Sequence, residues 1–338
     1  MKLAVIGAGC WGLTLAWLLS DNFDKVCIWG RSCDLSNDLV RNKYTAKPIE
    51  VRLKDTVDIT DNIEETVKDA EIILTVTATA GIRDVCERLK QTCIKKEQII
   101  VNASKGLELN THMRMSEVIR AVLPNQRLAV LSGPTLAKEV LAGKPTAASV
   151  ASEDKALAKY VQELLNVPNR FRLYTNSDVI GVELGGSLKN VIAIASGFVH
   201  AMDLGDNCMG ALLTRGMAEI VRISVKLGAR PSTLYGLSGM GDLIATCSSP
   251  MSRNYTVGMM LAKGKKINDI LLALGSVAEG VKTSKAVCDL AQMLGEEVPV
   301  SSAVYDAVYT DITPNEVLHK LMNRKLKEED RYEVQQVR

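Results

Sequence analysis

Residues 2–29 read K-L-A-V-I-G-A-G-C-W-G-L-T-L-A-W-L-L-S-D-N-F-D-K-V-C-I-W. The apolar, β-rich run Lys2–Ile6 predicts a strand, the mostly apolar segment 13–20 predicts a helix, and residues 26–29 predict a second strand. A glycine-rich turn joins the first strand to the helix. This order is typical of the first β-α-β unit of an α/β domain built on a mainly parallel sheet.

The turn has the spacing G-x-G-x-x-G, with glycines at Gly7, Gly9 and Gly12. In a dinucleotide-binding turn, the first glycine permits the tight bend, the second lets a pyrophosphate approach the backbone, and the third lets helix and strand pack closely. The unpaired N–H groups at the start of the helix then bind the phosphates. A tight turn without a ligand is the alternative interpretation of the same residues.

The end of the second predicted strand bears on which dinucleotide binds. NAD sites usually have an acidic residue there for the ribose 2′-hydroxyl, whereas an arginine suits a 2′-phosphate. The strand runs into Arg31, and the nearest acidic residue is Asp34. Arg31 therefore favours NADPH, or use of both NADPH and NADH, although it could also be an ordinary surface arginine in a loop.

The α/β pattern continues to about residue 178. Charged, helix-like segments separate most of the apolar runs, as parallel β-α-β units require. Further strands are predicted at 71–76, 98–103, 128–131, Thr146–Ala151 and 171–174. Beyond residue 178 the pattern is helical. The sequence thus predicts an NAD(P)-binding Rossmann-type domain over residues 1–178 and an all-α substrate-binding and catalytic domain over residues 179–338.

Composition narrows the possible functions. The 338 residues carry a net charge of +2, which gives no strong field for nucleic acid or for an anionic membrane. Three histidines and eight cysteines without a C-x-x-C pair argue against a metal site, and such scattered cysteines suit a reducing, cytoplasmic environment. We expect no nucleic-acid partner, no metal and no stable membrane insertion.

The segment Val179–Ala201 predicts a helix that is apolar or small nearly all round, with Lys189 in its middle. A buried ammonium group is costly unless something pairs with it or uses it. Glu183, the only carboxylate of the segment, lies six residues away, which does not match helical contact spacing. Gly185 and Gly186 lie four and three residues before Lys189, so the lysine should lie over a glycine-floored hollow where a ligand meets its ammonium. A lysine that reaches the surface along its own stem is the alternative.

Other chemically notable residues follow predicted strands or begin helices. Lys105 comes just after the strand at 98–103, where the carboxyl ends of parallel strands bind ligands. Ser252, Arg253 and Asn254 precede a helical run and form a natural phosphate or anion site, because an arginine fork joins the free N–H groups of a helix start. An exposed loop lysine and an ordinary N-cap with a surface arginine are the respective alternatives.

Seven motifs in this order resemble the bacterial-type NAD(P)-dependent glycerol-3-phosphate dehydrogenases, over nearly the whole chain. They are G-A-G-C-W-G at 7–12, S-K-G at 104–106, S-G-P-T at 132–135, E-L-G-G-S-L-K-N at 183–190, G-L-S-G-M-G-D-L at 236–243, S-R-N at 252–254 and V-A-E-G at 277–280. The resemblance implies a Rossmann-type domain followed by an all-helical domain, an architecture like that of 6-phosphogluconate dehydrogenase. It also implies NAD(P)H-dependent, reversible reduction of dihydroxyacetone phosphate to sn-glycerol 3-phosphate, which supplies phospholipid synthesis.

The resemblance also implies roles for individual residues. Lys189 matches the catalytic lysine of the family. The implied substrate-binding residues are Lys105, Gly133, Thr135, Lys189, Asp242, Ser252, Arg253 and Asn254. The implied cofactor-binding residues are Gly7, Gly9, Cys10, Trp11, Gly12, Arg31, Lys105, Ala137, Arg253, Val277 and Glu279. A homodimer formed through the helical domain is also plausible for this architecture.

Two stretches depart from the pattern of the family. Residues Thr77, Ala78 and Thr79 stand where many members have V-P-S or V-P-T, and residues 43–52 lack the expected L-P-G. The first departure alters a loop over the cofactor, so it bears on the pose of the cofactor there. Neither touches the two lysines or the anion site.

The expected reaction uses Lys189 as the acid that protonates the carbonyl oxygen, with Lys105 as a second cation. Asp242 would orient either the Lys189 ammonium or a substrate hydroxyl, and the sequence leaves both open. A 3-hydroxyacid or ketopantoate-type dehydrogenase, which recognises a carboxylate, is the nearer alternative function. A non-catalytic dinucleotide sensor with a partner-binding helical domain is the more distant one.

Overall fold

The computed structural model describes residues 1–92, 94–274, 278–326 and 328–329. Its main feature is an eight-stranded sheet in the order β10-β9-β8-β7-β6-β1-β2-β5. The strands are β1 Lys2–Ile6, β2 Lys25–Trp29, β3 Tyr44–Thr45, β4 Val51–Arg52, β5 Val57–Thr60, β6 Ile72–Thr75, β7 Ile99–Asn102, β8 Arg127–Ser132, β9 Thr146–Ala151 and β10 Phe171–Asn176. Strands β3 and β4 form a separate antiparallel pair.

The sheet is parallel except where β8 meets β9, so the predicted mainly parallel sheet is confirmed. Short helices flank it, namely α1 Cys10–Leu19, α2 Asn37–Asn42, α3 Ile63–Val67, α4 Ile82–Gln91, α5 Met115–Val122, α6 Ala137–Leu141 and α7 Lys155–Leu165. Successive residues of β1 pack into different cores: Leu3 and Val5 into one, Ala4 and Ile6 into another. This alternation places one hydrophobic layer on each face of the sheet.

Two residues separate the last strand from the helical region. Its helices are α8 Val179–Ala201, α9 Gly205–Lys226, α10 Pro231–Leu234, α11 Asp242–Cys247, α12 Arg253–Ala262, α13 Ile267–Leu274, α14 Glu279–Leu294, α15 Pro299–Tyr309 and α16 Pro314–Met322, with a π-helical turn at Leu237–Gly241. No strand occurs after β10 in the part of the chain that is described, as the sequence predicts. The domain boundary at residues 178 and 179 stays a prediction.

Helix α8 is the central element of the helical region. It packs against α9, α11, α12 and α14, and its sequence makes this possible because most of its residues are apolar or small. By length and composition α8 could cross a membrane. However, 89% of the apolar 18-residue stretch within it is buried inside the protein. Burial of that kind is typical of the core helix of a globular domain.

Candidate active site

Two lysine side chains from different parts of the chain meet one buried carboxylate. Lys189 Nζ donates to Asp242 Oδ1 at 2.8 Å, and Lys105 Nζ donates to Asp242 Oδ2 at 2.7 Å. Lys189 also donates to the hydroxyl of Thr246, which in turn donates to Asp242 Oδ1 at 3.2 Å. The Asp242 side chain is only 2% exposed and that of Lys189 only 7%. The site therefore carries two positive charges on one negative charge, away from bulk water.

Burial and charge shift the pKa values of this cluster. Burial lowers the pKa of Lys105 to about 8; the Asp242 carboxylate opposes this shift and the Lys189 ammonium adds to it. For Asp242, burial acts to raise the pKa, but the charges and hydrogen bonds of Lys105 and Lys189 outweigh it and hold the pKa below its ordinary value. Asp242 is therefore ionised at neutral pH, and Lys105 lies close to its titration point.

Three elements bring these side chains together. Lys105 follows β7, Lys189 lies in the middle of α8, and Asp242 begins α11 directly after the π-helical turn Leu237–Gly241. Lys105 Nζ also donates to the carbonyl oxygen of Gly133 at 2.8 Å and to Thr135 Oγ1 at 3.2 Å. The structure thus unites five predicted substrate residues at the carboxyl edge of the sheet: Lys105, Gly133, Thr135, Lys189 and Asp242.

The predicted glycine-floored hollow beside Lys189 is wrong. A methyl group at Gly185 would lie 2.7 Å from the carbonyl oxygen of Ser238, and one at Gly186 would lie 2.3 Å from Ser132 Oγ. The two glycines are therefore contact points, where α8 meets the turn before Asp242 on one side and the end of β8 on the other. The spacing of Glu183 and Lys189 predicts no contact between them in the helix. Glu183 instead accepts a hydrogen bond from Arg114 Nη1 at 2.7 Å.

The predicted anion site lies at the start of α12. Ser252 caps this helix by accepting the N–H of Tyr255, and Arg253 is exposed with no acidic partner among the described residues. The side chain of Asn254 is committed within the protein, since Nδ2 donates to Asn190 Oδ1 at 3.0 Å and Oδ1 accepts the N–H of Gly280 at 3.0 Å. Arg253 and the first N–H groups of the helix are thus the groups available to an anion.

The glycine-rich turn has the geometry that a dinucleotide needs. Gly7 has a φ of +128°, and a methyl group there would lie 2.6 Å from the carbonyl oxygen of Val76. A methyl group at Gly12 would lie 1.9 Å from the carbonyl oxygen of Gly7, whereas one at Gly9 would meet nothing within 4 Å. The turn is therefore closely packed on its protein side and open at Gly9, where α1 begins, so NAD(P)H fits this site.

Four other predicted cofactor residues lie in or around this turn. Cys10 and Trp11 form the first turn of α1, and Ala137 begins α6, which packs against α1. Arg31 lies just after β2, where its Nε and Nη2 donate to the two oxygens of Asp34 at 2.7 and 3.0 Å. The Arg31 side chain is 68% exposed, so this pair is weak and a 2′-phosphate can compete for the guanidinium.

The last two predicted cofactor residues lie near the start of α14. Glu279 is the first residue of that helix, and its carboxylate accepts the backbone N–H of Thr79 at 3.3 Å and the Thr79 hydroxyl at 2.8 Å. This contact joins the helical region to the loop in which Thr77, Ala78 and Thr79 depart from the family pattern. Val277 lies outside the described residues.

Comparisons with known proteins identify the family of this chain. The sequence model of the NAD-dependent glycerol-3-phosphate dehydrogenase N-terminus matches residues 2–158, and the model of the C-terminus matches residues 178–319. A protein of Enterococcus faecalis named glycerol-3-phosphate dehydrogenase (NAD(P)+) is 43% identical over an alignment of 336 residues that covers 98% of each chain. The chain belongs to the NAD-dependent glycerol-3-phosphate dehydrogenase family.

Further relatives in this family cover the same extent. The glycerol-3-phosphate dehydrogenase (NAD(P)+) of Streptococcus sanguinis is 41% identical over 98% of each chain. The crystal structure of glycerol-3-phosphate dehydrogenase from Coxiella burnetii has a TM-score of 0.89 at 34% identity, covering 96% of this chain and 99% of that one. A ketopantoate reductase from Ralstonia eutropha, at 12% identity and a TM-score of 0.57, shares the fold alone. Family membership decides against the hydroxyacid and ketopantoate alternatives.

The sequence analysis does not identify Thr246, which belongs to the Lys189–Asp242 cluster. Its hydroxyl lies between Lys189 and Asp242, and it is 4% exposed. Thr246 lies four residues after Asp242 in α11, so the two share one helix face. Once Asp242 is identified as a site residue, this spacing predicts that Thr246 lies beside it.

Proposed function

We propose that this chain reduces dihydroxyacetone phosphate to sn-glycerol 3-phosphate with NADPH or NADH, and that Lys189 is its general acid. The observation that carries the proposal is the convergence of Lys189 and Lys105 on the buried Asp242 carboxylate. The family assignment supplies the reaction, since its named members are glycerol-3-phosphate dehydrogenases. The glycerol 3-phosphate formed is a precursor for phospholipid synthesis.

The lysines act on the carbonyl oxygen of the substrate. Bound NAD(P)H supplies the hydride. As negative charge builds on the oxygen, the Lys189 ammonium donates a proton from Nζ to it, and in the reverse direction the neutral amine accepts that proton. The Lys105 ammonium stabilises the same developing charge in a poorly hydrated environment. Asp242 orients both ammonium groups through its two oxygens, which supports the first of its two predicted roles.

The phosphate of the substrate is assigned to the start of α12. Arg253 supplies an exposed guanidinium, and the first N–H groups of the helix have no acceptor within the helix, so they can bind an anion. Asn254 contributes its backbone N–H and keeps α8 and α14 in place, because its side-chain amide already bonds to Asn190 and to Gly280. A phosphate is the substrate group that suits this combination.

We also propose a location and an oligomeric state for the working enzyme. A cytoplasmic location is supported by the burial of α8 and by the use of a soluble dinucleotide. A homodimer formed through the helical region is expected from the architecture, and light scattering after size-exclusion chromatography measures it directly.

A substrate panel tests the proposed function. NADPH oxidation is followed by absorbance on adding dihydroxyacetone phosphate, unphosphorylated dihydroxyacetone or ketopantoate to the purified protein. We expect rapid oxidation with dihydroxyacetone phosphate alone. Equal rates with the unphosphorylated ketone would show that the start of α12 does not bind a substrate phosphate. Tight NADPH binding without oxidation by any ketone would support the dinucleotide sensor.

A further inference from the structure

Gly186 lies at the point where helix α8 meets the end of strand β8. A methyl group on Gly186 would lie 2.3 Å from Ser132 Oγ, a distance that real side chains do not adopt. The next nearest atoms are Ser132 Cβ and Lys105 Cδ, both at 3.6 Å, which is ordinary van der Waals contact. Among the described residues, the one severe obstacle to a methyl group here is thus the Ser132 hydroxyl oxygen.

That hydroxyl has no visible hydrogen-bonding role. Ser132 is 3% exposed, and its Oγ has no hydrogen-bond partner among the described residues. A buried hydroxyl without a partner costs free energy, so hydrogen bonding does not explain why serine stands here. The contact with Gly186 accounts for the serine, because its hydroxyl fills the space where a side chain of residue 186 would lie.

The contact leads directly to a reacting group. Ser132 precedes Gly133, and the carbonyl oxygen of Gly133 accepts from Lys105 Nζ at 2.8 Å. Gly133 directly follows Ser132, so a methyl group on Gly186 that pushes Ser132 aside would also move the Gly133 carbonyl away from the Lys105 ammonium. The Lys105 stem itself would stay at ordinary contact distance from that methyl group, 3.6 Å.

We propose that Gly186 is a positioning residue for the reaction: because it has no side chain, Ser132 and Gly133 at the end of β8 keep the place from which the Gly133 carbonyl holds Lys105 beside Asp242. The inference rests on the proposed function, since it assigns Lys105 a part in the same site. It also explains why a glycine, which weakens a helix interior, occurs in the middle of α8.

Gly185 offers a matched comparison. A methyl group on Gly185 would meet the backbone of Ser238 and Gly239 at 2.7 to 3.1 Å. No side-chain substitution can remove a backbone obstacle. A change at Gly185 therefore cannot be rescued by altering Ser132, whereas a change at Gly186 can.

The test is a cycle of four proteins: wild type, Gly186→Ala, Ser132→Ala and the double variant. We expect Gly186→Ala to lower kcat for dihydroxyacetone phosphate reduction by about 10- to 100-fold, the range for a small misplacement of a reacting group. Ser132→Ala removes only an unpaired oxygen and should keep kcat within about threefold of wild type. In the double variant the nearest obstacle becomes Cβ at 3.6 Å, so kcat should return to near the wild-type value.

Two further readouts separate positioning from loss of folding. The dissociation constant for NADPH, measured by fluorescence, should stay unchanged in all four proteins, because the change lies at the substrate end of the site. Gly185→Ala with Ser132→Ala should stay impaired. The inference is overturned if Gly186→Ala keeps its kcat, if the double variant remains as slow as Gly186→Ala, or if Ser132→Ala alone is inactive.

The cycle also distinguishes this inference from the proposed function. If the wild type reduces no dihydroxyacetone phosphate, the proposed function fails. The Ser132–Gly186 contact is then tested by melting temperature, where the loss caused by Gly186→Ala should be recovered in the double variant. Additive losses in melting temperature would contradict the contact itself.

Discussion

Asp242 faces two ammonium groups, and this imbalance is the main electrostatic feature of the site. A buried carboxylate with one lysine would form a simple ion pair, whereas the second lysine leaves a net positive charge close to the place where negative charge develops during reduction. Removal of the carboxylate would leave both ammonium groups without their counter-charge, which is costly in a buried site.

The pH dependence of Asp242→Asn follows from this arrangement. Asp242 raises the pKa of Lys105, while burial and the Lys189 charge lower it to about 8. Wild-type kcat should therefore fall as the pH rises through about 8 and Lys105 loses its proton. In Asp242→Asn the pKa of Lys105 falls further, so the loss should begin at lower pH. Lys105→Arg is the control, because its guanidinium stays charged and that loss should disappear. Identical profiles in all three proteins would argue against a role for the Lys105 charge.

Arg31 gives a second prediction at the residue scale. Its guanidinium pairs with Asp34 in an exposed position, so a 2′-phosphate on NADPH can take over this pairing at little cost. Arg31→Ala should lower kcat/KM for NADPH by about tenfold, with a much smaller change for NADH. Steady-state kinetics with both cofactors measure the ratio, and an equal loss for the two cofactors would show that Arg31 does not read the 2′-phosphate.

The sequence predicted the participants of this site better than their contacts. Lys189 and Lys105 were both predicted from local patterns. Lys189 is a charge within an apolar helix, and Lys105 is a charge just after a buried strand. The prediction of a hollow beside Lys189 was wrong, because Ser132 and Ser238 fill that space and both are distant from Lys189 in sequence. Neither the helical periodicity nor the two glycines specify which segments pack there.

At the scale of elements, the first β-α-β unit follows closely from its sequence. The roles of Gly7 and Gly12 were predictable because both depend on backbone contacts within that unit. Strand β5, Val57–Thr60, was not predicted; it has four residues at the edge of the sheet and no long apolar run. The pair β3 and β4 has two residues in each strand, too few for any pattern.

The glycines of the turn make a matched pair of variants. Gly12→Ala places a methyl group 1.9 Å from the carbonyl oxygen of Gly7, so its melting temperature should fall by several degrees. Gly9→Ala meets nothing within 4 Å and should melt like wild type. It should nevertheless bind NADPH about tenfold or more weakly, because the methyl group stands where the pyrophosphate approaches. Thermal melting and fluorescence titration check both, and unchanged binding in Gly9→Ala would place the cofactor elsewhere.

At the scale of the whole molecule, buried polar contacts join the sheet domain to the helical region. Glu183 of α8 accepts from Arg114 Nη1 at 2.7 Å and from the N–H of Ser116 at 2.8 Å. The Thr79 hydroxyl and Glu279 make a second contact of this kind. These contacts fix the relative position of Lys105 and Lys189, which come from the two parts. Their partners are far apart in sequence, so no local pattern revealed them.

Glu183→Ala tests the first of these contacts. The change leaves Arg114 paired only with the partly exposed Glu117, and it removes the acceptor of the buried Ser116 N–H and hydroxyl. Loss of one member of such a pair should lower the free energy of unfolding by about 3 kcal/mol, measured by urea denaturation. Glu153→Ala is the control, because its pair with Arg120 is exposed and should contribute little. Equal stability of the two variants would show that the Glu183 contact is not needed to join the two parts.

The most direct test of the account is the single-turnover rate of NADPH oxidation by dihydroxyacetone phosphate in Lys189→Ala. We expect a rate about two to four powers of ten below wild type, the usual loss for a general acid. The dissociation constant for NADPH, measured on the same preparation, should be close to the wild-type value. A variant that binds NADPH normally and turns over near the wild-type rate would contradict the assignment of Lys189 as the proton donor.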